Sequence, residues 1–285
     1  MLYNIIVICD SIRKGLFMHS QKTRIGVVAV ISLIMAALRI FLISAYIEKN
    51  SFAVDTYYLP DKPEITAFTV VSALFLILFL YLGYSSSKKK LVNLGHSHIG
   101  VSAASILLAF ALIGASLFYS VQLFSDGSEF KLAEFAVFVL TLLSAVVFLV
   151  SGLQFNKPRK SESFYATAAL VPIFFSALRI LSDFISTSSA PLASSGAYHI
   201  ISLVAVLLYF LTEGKSYVIE TSAASYSGFG FVSVFFLIVY SVPNLVLRCS
   251  GSLPFNLSAA YSAVDVCIAI YIAVRLATAK IEKKQ

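Results

Sequence analysis

The chain is expected to be an all-α, polytopic transmembrane bundle of about eight spans. Three observations carry that expectation. Hydrophobic residues make up 59% of the 285 positions and charged ones only 12%. The mean hydropathy is +0.90, whereas a water-soluble chain of this size needs about twice that charged fraction to cover its surface. The apolar residues also fall into stretches of roughly 20, each long enough to cross about 30 Å of hydrocarbon as a helix. Stretches such as 67–82 show no amphipathic period, so a soluble globule is excluded.

Positions 1–22 come ahead of the spans. Leu2, Ile5, Cys9, Ile12 and Leu16 recur at helical spacing with Arg13 and Lys14 alongside. This pattern predicts a short interfacial helix lying on the membrane. Basic residues follow the apolar run instead of preceding it, which is not the order of a cleaved signal peptide.

The spans are predicted at 24–47, 64–84, 98–122, 133–153, 164–187, 197–212, 226–246 and 256–278. The sixth is the shortest, because Glu213 and Lys215 are expected to end it. Placing the N-terminus inside puts Arg13, Lys14, Lys22, Arg24, Lys88, Lys89, Lys90, Lys157, Arg159, Lys160, Lys215, Lys280, Lys283 and Lys284 on the cytoplasmic side. Only Lys49, Lys62, Lys131 and Arg248 then face outward. That asymmetry places both termini in the cytoplasm of a cell-membrane protein. The same clustering beside spans argues against a nucleic-acid groove, despite the net charge of +7. With no tryptophan in the chain, Tyr46, Tyr57, Tyr58, Tyr84, Tyr119, Tyr198, Tyr217, Tyr226 and Tyr240 are expected to form the interfacial belt.

Span one contains Ala37-Leu38-Arg39-Ile40-Phe41, and span five contains Ala177-Leu178-Arg179-Ile180-Leu181. Later echoes follow in the same order, Tyr119-Ser120-Val121 in span three and Tyr240-Ser241-Val242 in span seven. They predict a 4+4 parallel tandem repeat, with 23–156 and 157–285 as its halves. The halves would be related by an axis along the membrane normal.

Four charges are predicted deep in the membrane. Arg39 and Arg179 each lie nine residues before the outer end of a span, about 13 Å below the boundary. Asp265 reaches a similar depth, and Asp183 is one turn beyond Arg179 on the same helix face. Each such residue costs roughly 2.5–3.5 kcal/mol at the centre of a helix, so four must face inward and find partners. The expected pairs are Arg179 with Asp183, and Arg39 with Asp265. Arg248 and Arg275 stand near span ends and read as snorkelling anchors. Pro172 and Pro243 should bend spans five and seven.

Other motifs carry little. His96-Ser97-His98 has two histidines but no third ligand nearby, so no metal is expected. Cys9, Cys249 and Cys267 form no regular spacing. Ser194-Ser195-Gly196 ahead of His199 lacks the setting of a nucleophile and its base. There is no HExxH or P-loop, so neither an enzyme nor a cofactor is expected.

Leu38-Arg39 followed by an acidic, aromatic outer loop with Glu48, Asp55, Tyr57 and Tyr58 resembles uncharacterised multi-span membrane proteins of Gram-positive bacteria. The resemblance covers about the first 85 residues and implies no activity. The buried charges point to a small-solute transporter or permease in which Arg39 and Arg179 hold an anionic solute, with Asp183 and Asp265 as counter-ions or proton carriers. The alternative is a receptor, sensor or assembly subunit that meets a protein partner through 48–64. Membrane lipids are partners under either reading.

Overall fold

The computed structural model describes residues 21–46, 62–85, 89–93, 98–125, 132–154, 166–187, 194–219, 221–253 and 255–283. The expected interfacial helix falls almost wholly outside these residues, as do Glu48, Asp55, Tyr57 and Tyr58.

Among the described residues, eight helices are long and apolar enough to cross a membrane. They are α1 (Gln21–Tyr46), α2 (Pro63–Tyr84), α3 (Ile99–Ser125), α4 (Leu132–Leu153), α5 (Leu170–Thr187), α6 (Ser194–Lys215), α7 (Ala223–Cys249) and α8 (Leu257–Thr278). The chain is an all-helical bundle of the integral-membrane type. Large apolar side chains such as Leu33, Phe41, Ile77, Phe110 and Leu117 are exposed on its outside, as lipid-facing residues must be. Serine and threonine hydroxyls inside the helices donate to their own i−4 carbonyls, for instance Ser32 to Val28 and Thr141 to Val137, both at 2.7 Å. Each such bond satisfies a polar group where water is absent.

A feature without a sequence expectation is a two-stranded antiparallel ribbon, β1 (Lys89–Asn93) with β2 (Lys280–Lys283). It ties the α2–α3 connection to the chain's end after α8. The side of the bundle that carries it is called the ribbon end below, and the opposite side the far end.

Helix α7 is the hub. About 72% of its span is buried, against 22–50% for the other seven. It packs on α1, α2, α6 and α8, while α3, α4 and α5 continue the bundle from α8 round to α6. Its sequence allows this central place because Ser227, Gly228, Gly230, Ser233 and Ser241 present little bulk. The closest approach is to α2. A Cβ on Gly83 would stand 2.3 Å from the Gly228 Cα, so only glycine fits at that crossing. The stacked rings of Phe75 and Phe79 then lie against Phe235.

This packing is not two-fold. Equivalent halves would make α3 the counterpart of α7, yet α3 packs on α4 and α8 alone among pairs in substantial contact. On the register of the Tyr119 and Tyr240 echoes, Ser241 is matched by Ser120 and Gly230 by Ala109, but Ser227, Gly228 and Ser233 fall opposite Ile106, Leu107 and Leu112.

Pro172 and Pro243 both lie within spans and leave a gap in the helical hydrogen-bond ladder. The helical turn at Ala166–Ala168 breaks at Ala169 before α5 resumes, three residues ahead of Pro172. Pro243 lies inside α7 and has no N–H to offer the carbonyl of Val239, one turn back.

Candidate functional site

Five helices contribute to one buried polar layer in the far-end half of the bundle. Arg179 from α5 and Asp265 from α8 form its centre. Arg179 Nη1 donates to Asp265 Oδ1 at 2.5 Å and Nη2 to Oδ2 at 3.2 Å, a two-pronged ion pair. Both residues are buried, Asp265 completely. Ser241 Oγ on α7 donates to Asp265 Oδ2 at 3.4 Å. The Arg179 guanidinium also lies over the rings of Tyr261 (4.7 Å) and Phe175 (5.5 Å).

His199 on α6 joins this pair to a second carboxylate. Its Nδ1 is 3.0 Å from Asp183 Oδ2, and its Nε2 is 3.2 Å from Arg179 Nη2 and 3.5 Å from Asp265 Oδ2. The Asp183 side chain is 31% exposed, whereas that of Asp265 is fully buried. The cluster therefore grades from a carboxylate partly exposed on the surface of the bundle to one sealed in the core.

Arg39 enters from α1. Its Nη1 donates to the Val239 carbonyl at 3.3 Å, the oxygen that Pro243 leaves without its helical donor. Its guanidinium lies 4.3 Å over the Tyr198 ring and 5.6 Å from that of Tyr240. Tyr240 in turn stacks on the His199 imidazole, with centroids 4.4 Å apart and planes within 11°. Tyr198 Oη donates to Thr69 Oγ1 on α2 at 3.2 Å, which fixes the ring under Arg39. A continuous chain of contacts thus runs Arg39, Tyr240, His199, Arg179, Asp265.

Neither expected ion pair forms among the described residues. Asp265 takes Arg179 instead of Arg39, and Asp183 meets His199 although it lies one turn from Arg179. Helix geometry explains the difference. An i+4 neighbour shares a face with Arg179, but a guanidinium pointing into the bundle reaches the carboxylate of the helix opposite. Arg39 lies on the far side of α7's Tyr240 and finds rings and a carbonyl.

His199 is the residue that sequence reasoning missed. Its position falls within the predicted span 197–212, but the sequence presents it only as a base for Ser194-Ser195 and not as a partner of the deep charges. Helix α6 starts at Ser194, so His199 already stands more than a turn inside. The usable signal was a histidine flanked by Tyr198 and an unbroken apolar run.

Above this layer, toward the far end, a polar seam continues between α7 and α8. Asn244 Nδ2 donates to Ser262 Oγ at 2.6 Å and to Ser258 Oγ at 3.2 Å. Arg248 donates to Asn244 Oδ1 (2.9 Å) and Asn256 Oδ1 (2.5 Å), and is buried. Its expected role as a snorkelling anchor is corrected accordingly. The same holds at the ribbon end for Arg275. Its Nε and Nη2 donate to Glu213 Oε1 at 2.8 and 2.6 Å, joined by Tyr271 Oη at 2.9 Å. Glu213 does not end α6, because this pairing lets it stay inside the helix, and α6 runs on to Lys215. A small cleft of about 40 Å³ beside it is lined by residues that include Ser151, Pro172, Phe210, Glu213 and Tyr217.

Of the tyrosines assigned to the interface, Tyr84 is exposed, but Tyr119, Tyr198 and Tyr226 are buried. Tyr226 shares a hydrogen bond of 2.9 Å with Tyr209 in the core. His98 accepts from the Gly100 N–H at 3.1 Å and so caps the start of α3. Among the described residues no group of three or more His, Cys, Asp or Glu is placed to hold a metal ion.

No family model, curated protein or solved structure matches this chain.

Proposed function

We propose that this chain is a small-solute transporter of the cell membrane, and that the Arg39–His199–Arg179–Asp265 layer with Asp183 is its solute-binding or coupling centre. The observation that carries the reading is the convergence of five helices on charged side chains in the membrane half nearer the far end. Burying such charges is costly, and a bundle needing only cohesion is held as well by apolar packing. Asp183, half-open to the surroundings, supplies an approach to the sealed pair. In this reading the ribbon end is cytoplasmic, because α1 begins there with Lys22 and Arg24, α6 ends there at Lys215, and the ribbon itself carries Lys89, Lys90, Lys280 and Lys283. The site then faces the exterior. Arg39 and Arg179 are the residues for an anionic solute, with Asp183 and Asp265 as counter-ions. The reading does not depend on a duplicated origin of the two halves.

The test is reconstitution into vesicles incubated with a mixture of small inorganic and organic anions, whose contents are then read by mass spectrometry. The native protein should enrich at least one solute over empty vesicles. R39Q should abolish that enrichment while remaining monodisperse in detergent, and R39K should retain part of it. Native vesicles that match empty ones would refute the proposal.

A further inference from the structure

The two nitrogens of His199 are engaged in different ways. Nδ1 faces Asp183 Oδ2 at 3.0 Å. Nε2 faces both Arg179 Nη2, at 3.2 Å, and Asp265 Oδ2, at 3.5 Å. A guanidinium only donates, so its contact with Nε2 requires a lone pair there, with the imidazole proton on Nδ1 toward Asp183. Once Nε2 gains a proton it can no longer accept from Arg179, but Asp265 Oδ2 stands within reach of the new N–H. The site holds a partner for each protonation state, and the exchange needs little movement of the ring.

The groups facing His199 are Arg179 and Asp183 from α5, Tyr240 from α7 and Asp265 from α8, with Arg39 from α1 behind Tyr240. While the imidazole is neutral, the two arginines and two aspartates balance. A proton on Nε2 leaves this layer with one positive charge in excess. It also brings a second cation to the Tyr240 ring, which already receives Arg39, and sets an imidazolium against Arg179. Charge in so buried a place demands compensation from a counter-ion.

We infer that this site binds one monovalent anion together with one proton, the proton on His199 Nε2 and the anion beside His199 and the two arginines. The inference rests on the transporter reading of the same layer and names its substrate class and coupling ion. The proton comes from water on the far-end side, past Asp183, and no covalent bond other than N–H forms or breaks. Translocation of the loaded site is electroneutral. A divalent anion would leave a net negative charge and is discriminated against.

Calorimetric titration of the full chain in detergent micelles at pH 7 tests this, with chloride, nitrate and sulfate as probes. Each titration is run in two buffers of different ionisation enthalpy, which reads protons taken up per anion bound. Chloride or nitrate should bind with close to one proton, and sulfate at least tenfold more weakly. H199Q should lose the proton uptake entirely. If H199Q does not fold, D183N serves, because it removes the carboxylate that supports the imidazolium. D183N also leaves the layer one positive charge in excess while the imidazole is neutral, so a monoanion should bind it at pH 7 with less than about half a proton taken up. A monoanion bound without proton uptake, or uptake that persists in H199Q, would overturn the inference and leave the transporter reading intact. So would a full proton taken up per monoanion in D183N. Solute enrichment by vesicles without any monoanion binding would do the same, whereas failure of the vesicle assay itself removes both.

Discussion

Replacing Asp265 by asparagine removes one charge and leaves the Arg179 guanidinium in place. Arg179 then keeps His199 Nε2 at 3.2 Å and the faces of Tyr261 and Phe175, but loses both prongs to a carboxylate. Two unit charges about 4 Å apart attract by about 4 kcal/mol at an effective dielectric constant of 20. Breaking a buried pair from one side costs about 3–5 kcal/mol in measured cases, in agreement with that figure. D265N should therefore lose about 3–5 kcal/mol of unfolding free energy. D183N should lose no more than about 1 kcal/mol, because its carboxylate is partly exposed and screened. The double variant R179M/D265L should recover most of the D265N loss, since an apolar pair of similar volume carries no desolvation cost. The assay is denaturant titration in mixed micelles followed by near-ultraviolet circular dichroism of the fifteen tyrosines, as the chain contains no tryptophan. Equal losses in D265N and D183N, or the reverse order, would refute the pairing and favour the helix-internal Arg179–Asp183 pair.

Three further outcomes follow from the same reasoning. E213Q should destabilise the bundle by several kcal/mol in that titration, because Arg275 would keep its charge and lose its carboxylate; the expectation is about 3 kcal/mol, and a loss below about 1 kcal/mol would restore Arg275 as a surface anchor. G83A should cost about 1–3 kcal/mol, since its Cβ would meet the Gly228 backbone at 2.3 Å, whereas G228A meets its nearest atom at 3.7 Å and should cost less. Equal effects of the two would contradict the crossing geometry. Cys249 is exposed at the far end and Cys267 is half-buried within α8. A membrane-impermeant maleimide should label intact cells at one site that C249S removes, and labelling that needs permeabilised cells would invert the proposed orientation.

Span number, span position and three of the deep charges, Arg39, Arg179 and Asp265, were legible in the amino-acid order, whereas Glu213, Arg248 and Arg275 were not. Bilayer thickness and the cost of an uncompensated charge are one-dimensional constraints, read residue by residue along the chain. Arg39, Arg179 and Asp265 are buried as their flanks required, and the helices end within three residues of their expected limits except at the start of α5, which begins at Leu170 instead of 164. The end of α6 shows where such reading stops. Glu213 ends a span only if nothing neutralises it, and its partner Arg275 lies on a helix 62 residues away.

Partner choice was decided by the tertiary structure alone. A hydrogen bond between helices depends on which faces meet, and apolar stretches of nearly uniform composition do not encode their neighbours. Arg179 therefore reaches Asp265 on α8 and not Asp183 on its own helix, and Arg39 rests on Tyr198 and a carbonyl freed by Pro243. Nor could hydropathy single out α7 as the hub. Its mean value is ordinary among the eight, and only the run of glycine and serine on its faces permits four helices to close around it. That closure brings Tyr240 against His199 and so joins charges from separate helices into one site.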